Sequence, residues 1–332
     1  MAAVYPVTGS GAFDTTPSYS GAFIPTLWSG KLLAKFYQNT ILSEITNTDY
    51  EGELKNQGDT IRIRLAPSIT ISDYTVGQNL SYEVPTPIFQ DMQVNKGKYF
   101  GVQVNDVLAY QADMDLMNMF TEDAAKQLKI AIENEVFFNS FVTEGPVATN
   151  EGATAGLLSA AYNLGTDAAP IDGTASPAAL LNTILRMSAA LDEQNVPEDG
   201  RWLIISPYER QILMQSNIAQ AYFTGDQSSI VRTGKIGMLD RFSVYVSNLL
   251  PKGAASKALV AGLSDPATGA SATAEARRTM IAGTNQAVSF AATIDKTEPL
   301  RNQTDFGDIV RGLAVYGRKV VKPEALVVAQ VQ

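Results

Sequence analysis

The chain of 332 residues contains no cysteine and no histidine. Without cysteine it has no disulfide, no thiolate nucleophile and no sulfur ligand for metals. Without histidine it lacks the commonest general base and the commonest transition-metal ligand. These absences argue against most enzyme mechanisms, and we expect neither a cofactor nor a metal site. No apolar run reaches the roughly 20 residues of a membrane span, and no signal peptide begins the sequence, so we expect a soluble protein made in the cytosol.

Composition and charge describe a foldable chain that does not hold nucleic acid tightly. The net charge of −9 argues against a surface that neutralises phosphates with many cations. Hydrophobic residues make up 45% of the chain and charged residues 18%, so a sizeable core can be buried. The length predicts two or three domains.

The motifs of common active sites are missing. The sequence has no Walker A loop, no dinucleotide-binding glycine motif and no G-x-S-x-G elbow. Two carboxylate pairs, Asp113 with Asp115 and Glu133 with Glu135, leave a glycosidase as an alternative. The start of a helix explains the first pair through the helix dipole, and the members of the second pair lie on different helix faces. Both pairs therefore favour a structural role.

A long amphipathic helix is predicted over residues 113–142, about 45 Å in length. Asp113 or Asp115 can cap its start, and Gly145-Pro146 prevents its continuation. The residues of its predicted inward stripe are Phe120, Ala124, Leu128, Ala131, Phe138 and Val142. The residues of its polar side, which we expect to be solvated, are Glu122, Lys126, Lys129 and Glu133. We expect the inward stripe to pack on the C-terminal strands around residues 313–328.

An extended ribbon is predicted before this helix. Thr60–Leu65 alternates apolar and polar residues as a strand does, and a second alternating run, with Met92 and Val94 followed by Phe100, Val102 and Val104, is expected to return antiparallel to it. A wide tip poor in large apolar residues lies between them. Because an isolated two-stranded ribbon is marginal in water, it must lie on another surface, and that surface belongs to another subunit if its own fold offers no sheet.

The polar residues of the ribbon leave two interpretations open. Arg62 and Arg64 occupy one face of the first strand, where they are either solvated or paired with acidic residues of a neighbouring subunit. The candidate intersubunit contacts are Arg62, Arg64, Asp73 and Tyr74 on the ribbon and Asp226 and Arg232 in a predicted exposed loop.

The second half of the chain mixes helices and strands. Ser176-Pro177 begins a helix whose predicted buried stripe is Leu180, Ile184, Met187 and Leu191. Ser206 and Glu209 form a capping box directly after an apolar strand. The predicted strands are 202–205, 242–246, 259–261, 280–282 and the strand-rich segment 309–331.

Together these parts resemble the major capsid proteins of tailed bacteriophages with the Hong Kong 97-type fold. The resemblance covers nearly the whole chain and depends on the order of its parts more than on any one motif. The stretches that carry it are residues 58–63 (GDTIRI), 201–207 (RWLIISP), 237–248 (GMLDRFSVYVSN), 312–317 (GLAVYG) and 321–326 (VKPEAL).

The resemblance implies an α+β fold with an N-terminal arm, an extended β-ribbon loop, a long spine helix with a peripheral sheet, and an α/β axial domain. The implied domains are an arm with a short helix at 1–48, the extension loop at 49–105, a peripheral domain at 106–175 and 297–332, and an axial domain at 176–296. The implied order along the chain is the arm, the extension loop, the spine helix, the axial domain and the final strands.

The function implied by the resemblance is structural. Copies of the chain would assemble in the host cytoplasm into pentamers and hexamers of a virion capsid that encloses double-stranded DNA without sequence-specific binding. A separate scaffolding protein is implied because the long scaffolding region of some family members is missing, and a portal protein and decoration proteins are further implied partners; no membrane is. A non-viral encapsulating shell protein of the same fold remains an alternative.

Overall fold

The computed structural model describes residues 40–49, 60–67, 69–106, 110, 116–166, 169–173, 177–214, 237–251 and 278–332. The predicted short helix after Pro25, the proposed helix caps Asp113 and Asp115, and the predicted strand at 259–261 lie outside these residues. The helices are α1 (Leu42–Ile45), α2 (Leu116–Val136), α3 (Pro177–Glu193) and α4 (Pro207–Met214), with a π-helical turn at Phe137–Thr143 and 3-10 turns at Ala148–Asn150 and Pro323–Ala325. The strands are β1 (Thr60–Leu65), β2 (Ile88–Gln93), β3 (Lys96–Asn105), β4 (Arg201–Ile205), β5 (Met238–Leu239), β6 (Phe242–Val246), β7 (Arg278–Thr284), β8 (Val288–Arg301), β9 (Gly307–Val320) and β10 (Leu326–Val331).

A five-stranded sheet, in the order β10-β7-β4-β6-β5, forms the centre of the α/β part. Its middle strand β4 is buried along its whole length because both faces of the sheet are covered. Leu203 and Ile205 face the cluster that contains α3, while Trp202 and Ile204 face the cluster that contains the end of the long helix. The predicted stripe of α3 is confirmed, since Leu180, Ile184, Met187 and Leu191 are all fully buried.

The predicted capping box begins α4. The Ser206 N–H donates to the Glu209 carboxylate, and the Glu209 N–H donates to the Ser206 hydroxyl at 3.5 Å. Each side chain satisfies a backbone donor that the first turn of a helix leaves unpaired. The local sequence therefore specifies where the strand β4 ends and the helix begins.

The second alternating run of the predicted ribbon is divided between two sheets. β1 pairs antiparallel with β2, from Thr60 opposite Gln93 to Leu65 opposite Ile88. β3 instead pairs antiparallel with β9 in a three-stranded sheet of order β3-β9-β8, so the predicted pairing of Phe100–Val104 with the first strand is wrong. The strand is interrupted between Gln93, where β2 ends, and Lys96, where β3 begins. After this interruption β3 pairs with β9 and contacts the long helix, and its Val104 is buried.

The long helix ends as predicted, but its buried face differs. α2 continues through the π-helical turn to Thr143, and Gly145 follows with φ of 50°. The buried residues at this end are Val136, Phe137 and Phe141 rather than the predicted Phe138 and Val142. They pack with Val320, Leu326 and Val328, so the expected contact with the C-terminal strands is confirmed through different side chains. The first half of the helix faces β3 and its second half faces the five-stranded sheet, so a single straight stripe cannot serve both.

Glu133 is the second correction on this helix. Its predicted position was the solvated side, yet its side chain is only 1% exposed. The reason is that residues 40–45 cross the helix here, and the backbone N–H groups at the start of α1 need an acceptor. Ile41 donates to Glu133 at 2.9 Å and 3.1 Å, and Leu42 donates at 3.3 Å.

Candidate functional site

The base of the ribbon, formed by β1 and β2, is anchored on its own subunit. Ile61, Ile63 and Met92 are buried against Ala291 and Val321, which belong to the C-terminal part of the chain. At the same place, a Cβ added to Gly317 would lie 2.6 Å from the carbonyl oxygen of Gln93. The close approach of β2 to β9 therefore requires a glycine at this position.

The opposite face of the ribbon base carries polar residues. Arg62 donates two hydrogen bonds to Asp91, at 2.8 Å from Nε and 3.1 Å from Nη2, and its guanidinium lies 4.2 Å from the centroid of the Phe89 ring. The hydrogen bond from Arg62 lowers the pKa of the Asp91 carboxyl. Arg62 is thus paired within its own chain, whereas Arg64 is exposed on the same face.

The ribbon tip, which we define as residues 69–87, is exposed at every residue. The expectation of a tip poor in large apolar residues is wrong, because four such side chains are almost completely solvated: Ile71 is 94% exposed, Val76 97%, Tyr82 85% and Val84 85%. Several large apolar side chains exposed on one short segment of a folded protein are typical of an interaction site. The tip is therefore the leading candidate for a contact with another molecule.

A few polar contacts give the tip its shape. The Thr70 N–H donates to Glu83 at 3.1 Å, which links the two limbs of the ribbon. At the far end, the Gln78 N–H donates to the Thr75 carbonyl oxygen at 3.1 Å, and Gly77 adopts φ of 90°. A positive φ is accessible to glycine without steric cost, so this turn is encoded by the sequence.

The predicted contact residues fall into two groups. Arg62 and Arg64 lie on the ribbon base, and Asp73 and Tyr74 lie on the tip, where both are exposed. Asp226 and Arg232 lie outside the described residues. The structure thus brings four of the six candidates together on one ribbon, and their role in contacts between subunits stays a prediction.

A second exposed surface, which the sequence-based reasoning missed, is the outer face of the three-stranded sheet. Tyr99 of β3 is 82% exposed and lies opposite Leu313 of β9. Beside them Glu298 pairs with Arg311 at 2.9 Å and also with Lys296, and these cations lower the pKa of its carboxyl. A depression of about 420 Å³ is formed by these residues. The alternation of β3 is the signal that could have placed Tyr99 on the outer face.

The hairpin between β8 and β9 presents charged and aromatic residues at the end of the same sheet. Arg301 is paired with Asp106, which follows β3, and with Asp308 of β9 at 3.1 Å. Phe306 is exposed at the tip of the hairpin. At this end of the sheet, two carboxylates therefore balance the charge of Arg301, and the ring of Phe306 is accessible to solvent.

The carboxylate pair considered as a catalytic device is divided between two structural roles. Glu133 accepts backbone hydrogen bonds, and its burial raises the pKa of its carboxyl to about 7. Glu135 accepts a hydrogen bond from Tyr316, pairs with Lys96 at 3.1 Å and lies 3.5 Å from Arg318. The two groups serve different neighbours, which favours structural roles over the paired acid and base of a glycosidase.

The described part of the chain contains no cluster of metal-binding side chains. Among its residues there is no group of three or more acidic, histidine or cysteine side chains that could hold a metal. Within the same residues, no helix combines the length and the apolar character needed to cross a membrane.

Comparisons with solved structures identify the fold. A chain of Mycobacterium phage Che8 is 24% identical, with a TM-score of 0.72 over 93% of this chain and 98% of that chain. A chain from the capsid of cyanophage P-SCSP1u is 16% identical, with a TM-score of 0.68 over 96% of each chain. A chain from the mature capsid of bacteriophage PhiM1 is 14% identical, with a TM-score of 0.64 over 94% of this chain and 93% of that chain.

Comparisons of the sequence identify the family. No curated protein matches the chain. The family model described as phage capsid protein matches residues 90–329, which is most of the chain. Family and fold point to a structural protein. The chain therefore belongs to the phage capsid protein family, with the α+β fold of the Hong Kong 97 type that its sequence predicts.

Proposed function

We propose that the chain is the major capsid protein of a tailed phage, whose copies associate into the pentamers and hexamers of an icosahedral head that encloses double-stranded DNA. The observation that carries this proposal is the ribbon tip. Its apolar side chains are solvated in the single subunit, and burying one aliphatic side chain of this size contributes about 1.5–3 kcal/mol. A neighbouring copy of the chain is the surface that covers them.

The geometry of the ribbon suits a contact that repeats around a ring. Its base is fixed to its own subunit while its tip extends away from it, so one subunit offers the tip and the next receives it. Such a head-to-tail contact joins two different surfaces of the same chain, and it closes into a ring when the rotation between neighbours allows it. Pentamers and hexamers are rings of this type.

The charge of the chain is compatible with enclosed DNA. With a net charge of −9, a shell of these subunits attracts phosphates weakly on average. A shell with this charge encloses DNA without recognising its base sequence. The further partners of the proposal are a separate scaffolding protein, a portal protein and decoration proteins, and assembly takes place in the host cytoplasm. The domain boundaries predicted from the sequence are part of the same proposal.

The size of the assembled protein tests this function. Full-length protein, expressed alone and together with a scaffolding protein, is examined by light scattering and negative-stain electron microscopy. We expect rings of five or six subunits or closed particles in at least one of the two preparations. A chain that stays monomeric or dimeric in both would refute the proposed function.

A ribbon deletion tests the role of the tip. Replacing residues 66–87 with Asn-Gly joins β1 and β2 through a two-residue turn and keeps Leu65 opposite Ile88. We expect a folded subunit, with a circular dichroism spectrum and an unfolding midpoint close to the wild type, that no longer forms shells. Normal shells from this variant would exclude the tip from assembly.

A further inference from the structure

The segment that precedes the ribbon is docked on the long helix around one buried carboxylate. Ile41 and Ile45 of this segment are buried with Val136 and Phe137. Between these apolar contacts, Glu133 accepts hydrogen bonds from the backbone N–H groups of Ile41 and Leu42. The carboxyl group is thus the polar centre of an apolar contact.

Among the described residues, the hydrogen-bond donors that compensate the charge of this carboxylate are backbone N–H groups. The ion pairs among the described residues do not include Glu133, although Lys129 lines the same cavity one helical turn earlier. Burying a carboxylate without a cation is costly, and hydrogen bonds from two backbone N–H groups replace only part of its hydration. The ionised form is therefore disfavoured while the segment is docked.

The surroundings of Glu133 contain few other charges. Tyr316 of β9 and Lys129 line a cavity of about 380 Å³ beside it, together with Leu42, Ile132 and Phe290. The docked segment contributes Glu44 in α1, and residues 288–292 of β8 carry no charge. Arg318 of β9 is engaged by Ser140 and Glu144. None of these groups supplies a cation in contact with the Glu133 carboxylate.

A cavity borders the docked segment on the side of β8 and β9. The cavity lies between part of the segment and the strands β8 and β9, so the side chains that line it do not pack directly against one another there. The segment is further attached by two backbone hydrogen bonds between Asn47 and β8, from the Asn47 N–H to Val288 at 2.9 Å and from the Phe290 N–H to Asn47 at 2.9 Å. Its Glu44 side chain is also hydrogen-bonded to Tyr245 of β6. Because the bridge of Asn47 to β8 lies outside the three sheets, undocking of residues 40–46 breaks no pairing between their strands, although it exposes Ile41 and Ile45.

We propose that Glu133 is a proton-binding switch that sets how firmly residues 40–46 are held on the long helix. A protonated carboxyl group keeps an oxygen that can accept from a backbone N–H and has no charge to solvate, so it favours the docked segment. An ionised carboxylate regains water when the segment undocks, so it favours release. This inference concerns the single subunit and is independent of shell assembly.

The direction of the pH dependence follows from the burial. Docking raises the pKa of Glu133 from an ordinary 4.5 to about 7, mainly because the carboxyl is removed from water. Below pH 4.5 the Glu133 carboxyl is protonated in both the docked and the undocked state, and the segment is held most firmly. As the pH rises from 4.5 through 7, the undocked state loses its proton first, and docking weakens. If the whole shift comes from docking, the docking equilibrium falls by at most about 300-fold across this window.

Hydrogen exchange of the full-length protein tests the switch. Protection of peptides covering residues 41–46 is measured at about pH 5.5 and about pH 8.5, corrected for the intrinsic pH dependence of exchange, in samples of the same association state. We expect at least about tenfold higher protection at the lower pH. Peptides from β4, which is buried throughout, report any change in global stability.

Two variants separate Glu133 from other titrating groups. Glu133→Gln keeps the shape of the side chain without a titrating charge, so we expect protection of residues 41–46 that no longer changes with pH. Glu122→Gln removes an exposed carboxylate from the same helix and is expected to keep the wild-type behaviour. The inference is overturned by wild-type protection that is constant or increases with pH, or by a Glu133→Gln variant with the wild-type pH dependence. If Glu133→Gln does not fold, the wild-type series decides alone.

Discussion

Removing the apolar side chains of the ribbon tip should abolish assembly and leave the subunit folded. The perturbation is the replacement of Ile71, Val76, Tyr82 and Val84 by serine in one variant. All four side chains are at least 85% exposed in the single subunit. Substitutions at such positions usually change the free energy of unfolding by less than about 0.5 kcal/mol each.

The expected loss in assembly is much larger. If a neighbouring subunit buries the four side chains, they contribute about 6–12 kcal/mol to each contact before the costs of association. Even a net loss of about 2 kcal/mol would raise the protein concentration needed for assembly about 30-fold. The difference between the effects on folding and on assembly is what distinguishes an interaction surface from a solvated loop.

Two measurements on the same preparations decide the prediction. Guanidinium unfolding gives the free energy of unfolding, and a concentration series in light scattering gives the threshold of assembly. The matched control carries Ser72→Ala, Asn79→Ala, Ser81→Ala and Thr86→Ala, four exposed polar positions of the same tip, and should assemble as the wild type does. Assembly of the serine variant at the wild-type concentration would refute the reasoning, and so would a loss of more than about 2 kcal/mol of unfolding free energy, because the tip would then support its own subunit.

Two further predictions concern polar side chains with different partners. Arg62→Glu should weaken the ribbon of the free subunit because it places a second carboxylate beside Asp91, whereas Arg64→Glu should change only assembly; equal effects in hydrogen exchange of β1 would contradict this difference. Asn150 is fully buried and donates to the carbonyl oxygens of Glu324 at 2.8 Å and Leu326 at 2.9 Å. Asn150→Asp removes both donors and adds a buried charge, so denaturant unfolding should show a loss of about 3–5 kcal/mol, while Asn79→Asp on the ribbon tip should show nearly none; a loss below about 1 kcal/mol at position 150 would refute this account.

Elements defined by local patterns could be predicted from the sequence. The stripe of α3 from Leu180 to Leu191, the apolar strand β4 and the capping box at Ser206 each depend on residues close together in the chain. The same holds for β1, where Ile61 and Ile63 are buried and Arg62 and Arg64 are exposed. In these cases one local arrangement satisfies the backbone and buries the apolar residues, so distant parts of the chain do not change the outcome.

Strand partners could not be predicted in the same way. Alternation specifies which face of a strand is buried but not which strand lies beside it. Phe100, Val102 and Val104 alternate correctly, yet their partners are in β9, about 200 positions later in the chain. The outer surface formed by Tyr99 and Leu313 was missed for the same reason, because it exists only once β3 and β9 are paired.

The interpretation of Glu133 failed because a helical pattern describes one helix in isolation. Lys129 and Glu133 are spaced as a favourable pair on a solvated face. That reasoning assumes that no other segment covers the face, and here residues 40–45 do. Glu133 accepts hydrogen bonds from backbone N–H groups at the start of the short helix α1. The sequence of the long helix alone does not reveal these donors.

The ribbon is where sequence and structure together narrow the candidate site further than either does alone. The sequence requires a supporting surface for the whole ribbon. The described residues supply one for the base, through Ile61 and Ile63, but none for the tip. Arg62 is already paired with Asp91, so it has less to offer a neighbour than Arg64 does. We therefore expect a second subunit to contact residues 69–87 and Arg64, because a contact that used the ribbon base alone would leave the most exposed apolar side chains of the ribbon solvated.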